Sequence, residues 1–216
     1  MIPVTRGVHY YHDPSRSLAH IHITAFYFVP NDKRQLTDEN WRRQLGSAMD
    51  TLVDFHMVTF GGKSRISYNI YPSPIIGEEE SISYNTAITE RGNPEGLRNV
   101  SREIERRVLA TGGDLYLPIS SPPPGSYHVL YIMYEGSGAS GSENVAFINR
   151  SYLSLPRFAD VGLSTFVHEF YHTIGLVDAY AETSGWPLSQ DIMGVGREGS
   201  LQYSYIEPAV LKKLGL

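Results

Sequence analysis

The chain has 216 residues, of which 41% are hydrophobic, and it carries a formal net charge of −5 at neutral pH. This length is sufficient for one hydrophobic core, and the weak acidity without a lysine or arginine cluster argues against nucleic acid and anionic membranes as partners. The sequence contains no cysteine, which excludes disulfides and thiolate metal ligands, and no run of about 18 apolar residues, which predicts no transmembrane segment.

The first half of the chain alternates between strand and helix patterns. Residues His20 to Val29 are rich in β-branched and aromatic side chains, which is typical of a strand. Apolar residues then recur with helical spacing from Asp38, a good N-cap residue, to about Met57. A second strand is predicted from Arg65 to Tyr71. A second helix is predicted from Gly96 to Ala110, ended by the glycine pair at 112 and 113.

The next segments lead from a loop into two strands. A proline-rich loop, Ser120 to Gly125, precedes the most strand-like run in the sequence, Tyr127 to Tyr134. The continuous apolar character of that run predicts a buried central strand. Gly136 to Ser142 consists of glycine, serine and one alanine, and is expected to be flexible. Asn144 to Asn149 is predicted to form a short strand before the last long helix.

That last long helix combines an apolar stripe with a polar face. Its apolar residues recur at helical spacing: Leu163, Phe166, Val167, Phe170 and Ile174. Asp160 is the expected N-cap. Gly175 is the expected stop, because glycine accepts the left-handed conformation that ends a helix. We expect the stripe to face the core, and His168 and His172 to project from the opposite side towards a cleft.

The string from His168 to Asp178 contains the residue types of a catalytic metal site. Positions four apart on a helix lie on one face, about 5–6 Å apart at Cβ, so His168 and His172 can bind the same ion. Glu169 is turned by about 100° from the first histidine, which predicts a base rather than a ligand. Once the glycine turns the chain back, Asp178 can complete a three-ligand set that leaves one position open. Two histidines four apart also occur by chance in amphipathic helices, and the added glycine and aspartate make the string specific.

This string resembles that of the metzincin zinc peptidases, whose pattern is His-Glu-x-x-His-x-x-Gly-x-x-His or Asp followed by a turn that contains methionine. The aspartate form is most similar to the snapalysin-type branch. Downstream, Asp191 to Gly194 lies where such a turn is expected. Met193 would then form an apolar floor beneath the metal ligands.

The resemblance implies the fold class as well. It is an α/β (α+β) fold in which a mixed twisted sheet and its packed helices form an upper lobe next to the active-site helix. The whole chain, 1–216, is expected to be one catalytic domain. Its upper subdomain would span about 1–178, and a small C-terminal subdomain of about 179–216 would contain the methionine turn and a closing helix near Ile206 to Leu214.

The activity implied by the resemblance is that of a zinc-dependent endopeptidase. One Zn²⁺ would be held by His168, His172 and Asp178, and Glu169 would take the proton of the water that attacks the peptide bond. The alternatives are a zinc-containing binding module without activity and a zinc hydrolase that acts on non-peptide bonds. The intact base at Glu169 argues against the first alternative, whereas analogy of fold does not exclude the second.

The expected partner is a peptide or protein substrate that binds in an extended conformation. An edge strand has unpaired N–H and C=O groups to which such a peptide can add. The resemblance places this edge strand just before the metal helix, and its substrate-binding residues would be Asn144, Val145, Ala146 and Phe147. The protein is expected to be a monomer. Secretion follows from the resemblance alone, since the first residues lack the apolar core of a secretory signal.

Two positions depart from the usual metzincin pattern. Many members have a tyrosine two residues after the turn methionine, where this chain has Val195. Tyr203 or Tyr205 could take that place, or no tyrosine takes part. The second departure is Asp178 as third ligand in place of histidine. Its negative charge should make the metal a weaker Lewis acid, which predicts a pH optimum at or above neutrality.

Overall fold

The computed structural model describes residues 7–85, 94–115, 123–179 and 190–216, which form a mixed α/β fold. The strands are β1 (His9–Tyr10), β2 (Asp13–Ser17), β3 (His20–Val29), β4 (Arg65–Ile70), β5 (Ile75–Ile76), β6 (Tyr127–Tyr134), β7 (Ala139–Ser142) and β8 (Val145–Asn149). The α-helices are α1 (Trp41–Thr59), α2 (Pro94–Ala110), α3 (Ser151–Ser154), α4 (Gly162–Thr173) and α5 (Pro208–Lys213). Short 3₁₀ helices lie at Asn31–Leu36, Ser81–Ser83, Pro156–Phe158, Val195–Glu198 and Leu201–Tyr203.

In the described part of the chain the main sheet has six strands. Five follow the order β4-β3-β6-β8-β7, and β5 pairs with the end of β3. Strands β4, β3, β6 and β8 are parallel, whereas β7 runs antiparallel to β8. Strands β1 and β2 form a separate antiparallel pair. The sheet is therefore mixed, as the sequence predicts, and its antiparallel strand lies at an edge.

Both faces of this sheet are covered by helices, because side chains of a strand alternate between its two faces. On β3, Ile23 and Tyr27 belong to the hydrophobic cluster that includes α1 and α4. Phe26 and Phe28 of the same strand belong to the cluster that includes α2. A strand buried on both faces reads as a continuous apolar run, which explains the composition of β3 and β6.

The strand predictions for β3 and β6 are confirmed with the same bounds, and β6 is an interior strand. The prediction that Asp38 is the N-cap of α1 is wrong by two residues, since the helix starts at Trp41 and Asn40 precedes it. Asp38 instead accepts a hydrogen bond from the backbone N–H of Asn40 over 2.7 Å, so it stabilises the turn that precedes the helix. Of the predicted proline-rich loop, residues 120–122 lie outside the described residues.

The prediction that Asn144 to Asn149 forms the edge strand is wrong. Val145–Asn149 forms β8, but β8 pairs with β6 on one side and with β7 on the other. Val145, Ala146 and Phe147 therefore have paired backbones, and Asn144 precedes the strand. The edge is β7, within the glycine- and serine-rich segment that was expected to be flexible. Pairing with β8 supplies the order that its own residues do not favour.

The C-terminal segment packs against the same core as the sheet. Ile192, Met193, Ile206 and Leu214 belong to the cluster that contains α1 and α4. Helix α5, Pro208–Lys213, lies inside the range predicted for a closing helix. Residues 180–189, at the predicted start of the C-terminal subdomain, lie outside the described residues. Within the described ranges, no helix has the length and apolarity needed to cross a membrane.

Candidate metal centre

The C-terminal end of helix α4 brings the candidate ligands together. Gly175 has a φ of +93°, which a residue with a side chain rarely adopts. The N–H of Gly175 donates to the carbonyl of His172 over 3.1 Å, and the N–H of Leu176 donates to the carbonyl of Tyr171 over 3.2 Å. These two bonds form a glycine-terminated helix cap, so the predicted stop is confirmed. The chain then turns back towards the helix and reaches Asp178 three residues later.

The beginning of α4 differs from the prediction. The residue that precedes the helix is Val161, and no side chain caps the helix there. Asp160 is therefore not the N-cap.

The burial of the metal face also differs from the prediction, since His168 is 1% exposed and Glu169 is 7% exposed. The apolar stripe faces the core as predicted, but strand β7 and the turn at Asp191–Gly194 cover the opposite face, so the site is recessed.

Two strand tyrosines fix α4 to the sheet. The hydroxyl of Tyr131 donates to the carbonyl of Phe166 over 2.6 Å, and that of Tyr127 donates to the carbonyl of Thr173 over 2.6 Å. Both tyrosines lie on β6, so the central strand holds the helix near its middle and at its end. The histidines are thus placed by a rigid part of the fold. The sequence pattern had identified β6 only as a buried strand.

The two histidines have defined tautomers. Nδ1 of His168 lies 2.8 Å from the carbonyl oxygen of Ile192, and Nδ1 of His172 lies 2.8 Å from that of Leu176. A carbonyl oxygen only accepts hydrogen bonds, so each Nδ1 carries the hydrogen. In the neutral ring, each Nε2 is then left with a lone pair that can bind a metal.

Three possible ligand atoms converge on one point. The Nε2 atoms of His168 and His172 are 3.1 Å apart, and Oδ1 of Asp178 lies 3.2 Å from the first and 3.5 Å from the second. Three such acceptor atoms repel one another unless a cation lies between them. Ligands at about 2.05 Å from a tetrahedral zinc are about 3.3 Å from each other, which these distances match. The residues therefore fit a bound metal ion.

Glu169 lies beside this group rather than opposite it. One of its carboxylate oxygens and the ligand atoms of His168 and His172 all lie within 4.8 Å of one another. This buried trio could itself hold a metal ion, and Asp178 offers a competing carboxylate. Oδ1 of Asp178 lies 3.2 Å and 3.5 Å from the two Nε2 atoms, so Asp178 can act as the third ligand and leave Glu169 free to act on a bound molecule.

Burial and charge shape the acidity of these groups. Burial raises the pKa of Glu169, the charges of His168 and His172 oppose that shift, and the charge of Asp178 adds to it. Burial lowers the pKa of His172, but the hydrogen bond that a protonated Nε2 would donate to Asp178 and the charge of Glu169 outweigh burial and raise it. The two carboxylates thus favour positive charge between the histidines, which is the electrostatic requirement of a cation site.

The turn predicted around Met193 lies against the metal helix. Met193 is 3% exposed, and its carbonyl accepts the N–H of Ala179 over 2.8 Å, just after Asp178. The carboxylate of Asp191 accepts the N–H of Met193 over 2.7 Å and that of Glu207 over 2.6 Å. Asp191 is 2% exposed and organises the turn. Sequence reasoning had placed it in the turn without giving it a role.

Strand β7 crosses directly over the metal helix. A Cβ added at Gly141 would lie 2.1 Å from the carbonyl oxygen of Glu169 and 3.0 Å from Cβ of His172. Only glycine permits this approach. The edge strand of the sheet therefore passes against the helix backbone at Glu169 and against Cβ of His172. The glycine-rich composition of Gly136 to Ser142 was interpreted as flexibility, but it instead allows the close contact between β7 and the helix.

Arginine 197 is a further member of the site that the sequence did not predict. Its Nη1 atom lies 3.4 Å from Nε2 of His168 and 3.8 Å from Oδ1 of Asp178. Neither of the two tyrosines considered as catalytic candidates occupies that place. Tyr203 is 68% exposed, and the hydroxyl of Tyr205 donates to Glu207 over 3.2 Å. No periodic or motif signal in the sequence marks the arginine.

Comparison of the chain with models of known protein families found no match. Comparison with curated protein sequences also found none. The geometry of the site and the resemblance of its motif are the basis for a functional assignment.

Proposed function

We propose that this protein is a zinc-dependent endopeptidase of the metzincin type. The observation that carries the proposal is the convergence of His168 Nε2, His172 Nε2 and Asp178 Oδ1, with mutual distances of 3.1–3.5 Å. Glu169 lies next to this set, as a general base requires. Two imidazoles and one carboxylate form the protein part of a catalytic zinc site, in which the fourth position stays open.

The same distances favour zinc over an octahedral metal. Ligands at about 2.05 Å from an octahedral ion are about 2.9 Å apart, against about 3.3 Å for a tetrahedral ion. The three separations of 3.1, 3.2 and 3.5 Å have a mean of about 3.3 Å, the value for a tetrahedral ion. When bound, the zinc ion would polarise the scissile carbonyl group and make the attacking water more acidic.

Glu169 would transfer the protons of the reaction. It accepts one proton from the water as the water oxygen forms a bond to the carbonyl carbon, and it passes that proton to the peptide nitrogen as the C–N bond breaks. The second water proton leaves the new carboxylic acid and protonates the released amine. Burial raises the pKa of Glu169, which improves its ability to return the proton.

Strand β7 is the element best placed to hold a peptide substrate. In the described part of the chain it is the last strand on its side of the sheet, and Gly141 lies against Glu169 and His172. A peptide that adds to the outer edge of β7 would extend past both side chains. The substrate strand proposed at residues 144–147 is thus replaced by residues 139–142.

Cleavage of peptides by the metal-loaded protein tests the function. A library of quenched fluorescent peptides, blocked at both ends to report only endopeptidase activity, is incubated with the protein, with the chelated protein and after zinc is restored. We expect cleavage that a chelator abolishes and zinc restores. One bound zinc without cleavage of any peptide or ester would indicate a binding module, and cleavage of esters alone a non-peptide hydrolase. The secreted location implied by the resemblance stays a prediction.

A further inference from the structure

Arg197 is a cationic side chain within reach of the candidate metal ligands. Its Nη1 atom is 3.4 Å from His168 Nε2 and 3.8 Å from Asp178 Oδ1, and the side chain is 28% exposed. The guanidinium group thus lies close to two of the three candidate ligands while it remains open to solvent.

The backbone that carries this arginine is fixed to the methionine turn. The N–H of Gly196 donates to the carbonyl of Asp191 over 2.9 Å, and Ser204 Oγ donates to the carbonyl of Gly196 over 2.9 Å. A Cβ at Gly196 would lie 2.4 Å from the carbonyl oxygen of Gln190, so the segment packs without space for a side chain there. The turn that supports His168 therefore also positions Arg197.

A guanidinium group in such a place is suited to bind an anionic oxygen atom. It stays protonated, has only donors and cannot bind a metal. A molecule bound at the open side of the metal would bring an oxygen atom close to the N–H groups of Arg197, and hydrogen bonds to a charged donor are strongest when that oxygen is anionic.

The charge of Arg197 also offsets an unusual feature of the ligand set. Asp178 places one negative charge where a third histidine would be neutral, which weakens the metal as an electrophile. One positive charge beside Asp178 compensates for it. The carbonyl oxygen of the peptide gains negative charge in the transition state, so a donor with full positive charge is most useful at that atom.

We propose that Arg197 is a catalytic residue, one that donates a hydrogen bond to the scissile carbonyl oxygen as negative charge develops on it. This proposal rests on the proposed function, since it assigns a further residue to the same reaction. Arg197 lies four residues after Met193, near the position at which many metzincins have a tyrosine.

The variants Arg197→Gln and Arg197→Lys test the role by kinetics. We expect Arg197→Gln to retain one zinc per chain and to lower kcat by about a hundredfold, with KM changed less than about threefold. Arg197→Lys keeps the charge but not the planar fork, and should retain more activity. Arg34→Gln removes the same charge from an exposed 3₁₀ helix and should behave like the parent.

Binding of inorganic phosphate provides a readout without turnover. Phosphate is titrated calorimetrically into zinc-loaded protein from which free metal has been removed, because a tetrahedral anion occupies the place of the developing oxyanion. We expect the affinity to fall at least about tenfold in Arg197→Gln and to be unchanged in Arg34→Gln. Unchanged phosphate affinity together with unchanged kcat in Arg197→Gln would overturn the proposal.

Two further outcomes separate this proposal from the proposed function. If Arg197→Gln folds as the parent does but loses zinc, the arginine supports the ligands and its catalytic role is wrong. If the parent binds zinc but cleaves no peptide, the proposed function fails and the assignment of Arg197 to the carbonyl oxygen fails with it. In that case the phosphate titration still reports whether Arg197 binds anions at the metal.

Discussion

The imidazole of His168 donates its Nδ1 hydrogen to the carbonyl of Ile192 over 2.8 Å, which joins the metal helix to the turn before Met193. This bond sets the direction in which Nε2 points. Such outer bonds to a ligand histidine also raise its basicity towards the metal. The turn that supplies this carbonyl is held by hydrogen bonds to one buried carboxylate, that of Asp191.

Replacement of Asp191 should weaken both the fold and the metal site. Asp191→Ala leaves the N–H groups of Met193 and Glu207 without their acceptor, and we expect the free energy of unfolding to fall by about 2–4 kcal/mol. Zinc affinity should fall at least about tenfold, because Ile192 is no longer held against His168. Urea unfolding and a competitive zinc titration measure the two effects. The control is Glu198→Ala, which changes an exposed residue of the same segment. Equal zinc affinity in the two variants would show that the turn does not support His168.

Asp178→Asn tests the third ligand without a change in size. The amide removes the negative charge beside the two Nε2 atoms, so we expect zinc affinity to fall at least about a hundredfold. The matched control is Asp160→Asn, at an exposed residue near the other end of α4. A zinc titration against a chromophoric chelator compares the three proteins. Parental affinity in Asp178→Asn would indicate that Glu169 is the carboxylate ligand instead.

Gly141→Ala tests the contact between β7 and the metal helix. The new methyl group would lie 2.1 Å from the carbonyl oxygen of Glu169, so the strand must move away from the helix. We expect a loss of about 1–3 kcal/mol in the free energy of unfolding and a loss of peptide cleavage. Gly46→Ala is the control and should not destabilise the protein. Its Cβ would lie 3.6 Å from the nearest atom, and alanine has a higher helix propensity than glycine within α1. The prediction is wrong if both variants have the stability of the parent.

His56 should make the protein sensitive to acid. It is 1% exposed, its Nε2 donates to Ser64 Oγ over 2.8 Å, and burial lowers its pKa from 6.5 to about 3. Between these values the unfolded chain binds a proton that the folded chain does not. Stability is therefore complete above pH 6.5 and falls as the pH decreases, by about 2 kcal/mol at pH 5.

The comparison that isolates this effect is with His56→Gln. Urea unfolding at pH 7, 6 and 5, with a chelator present so that metal binding does not contribute, gives the pH dependence of each protein. The variant should be less stable at pH 7 but should lose less stability on acidification. Parallel pH profiles would assign the acid sensitivity to other groups.

The sequence predicted those features that depend on local patterns. The continuous apolar composition of β3 and β6 indicates buried strands, and their contacts in the core agree with it. Gly175 ends α4 because glycine readily adopts the positive φ that is needed there. The location of the edge strand could not be predicted, because the Ala139–Ser142 strand exists only through its pairing with β8. The burial of the metal face could not be predicted, because an amphipathic pattern shows which side of a helix is polar but not which other elements pack against that side. Arg197 reaches His168 through tertiary structure alone.

The variant Glu169→Gln separates a general base from a metal ligand when zinc content and peptide turnover are measured on the same preparation. The amide keeps the size of the side chain but cannot accept the proton, and it is not expected to be a ligand. We expect one zinc per chain, as in the parent, with turnover reduced at least about a thousandfold. Parental turnover would contradict the role of Glu169 as the base, and loss of zinc would show that it is a metal ligand.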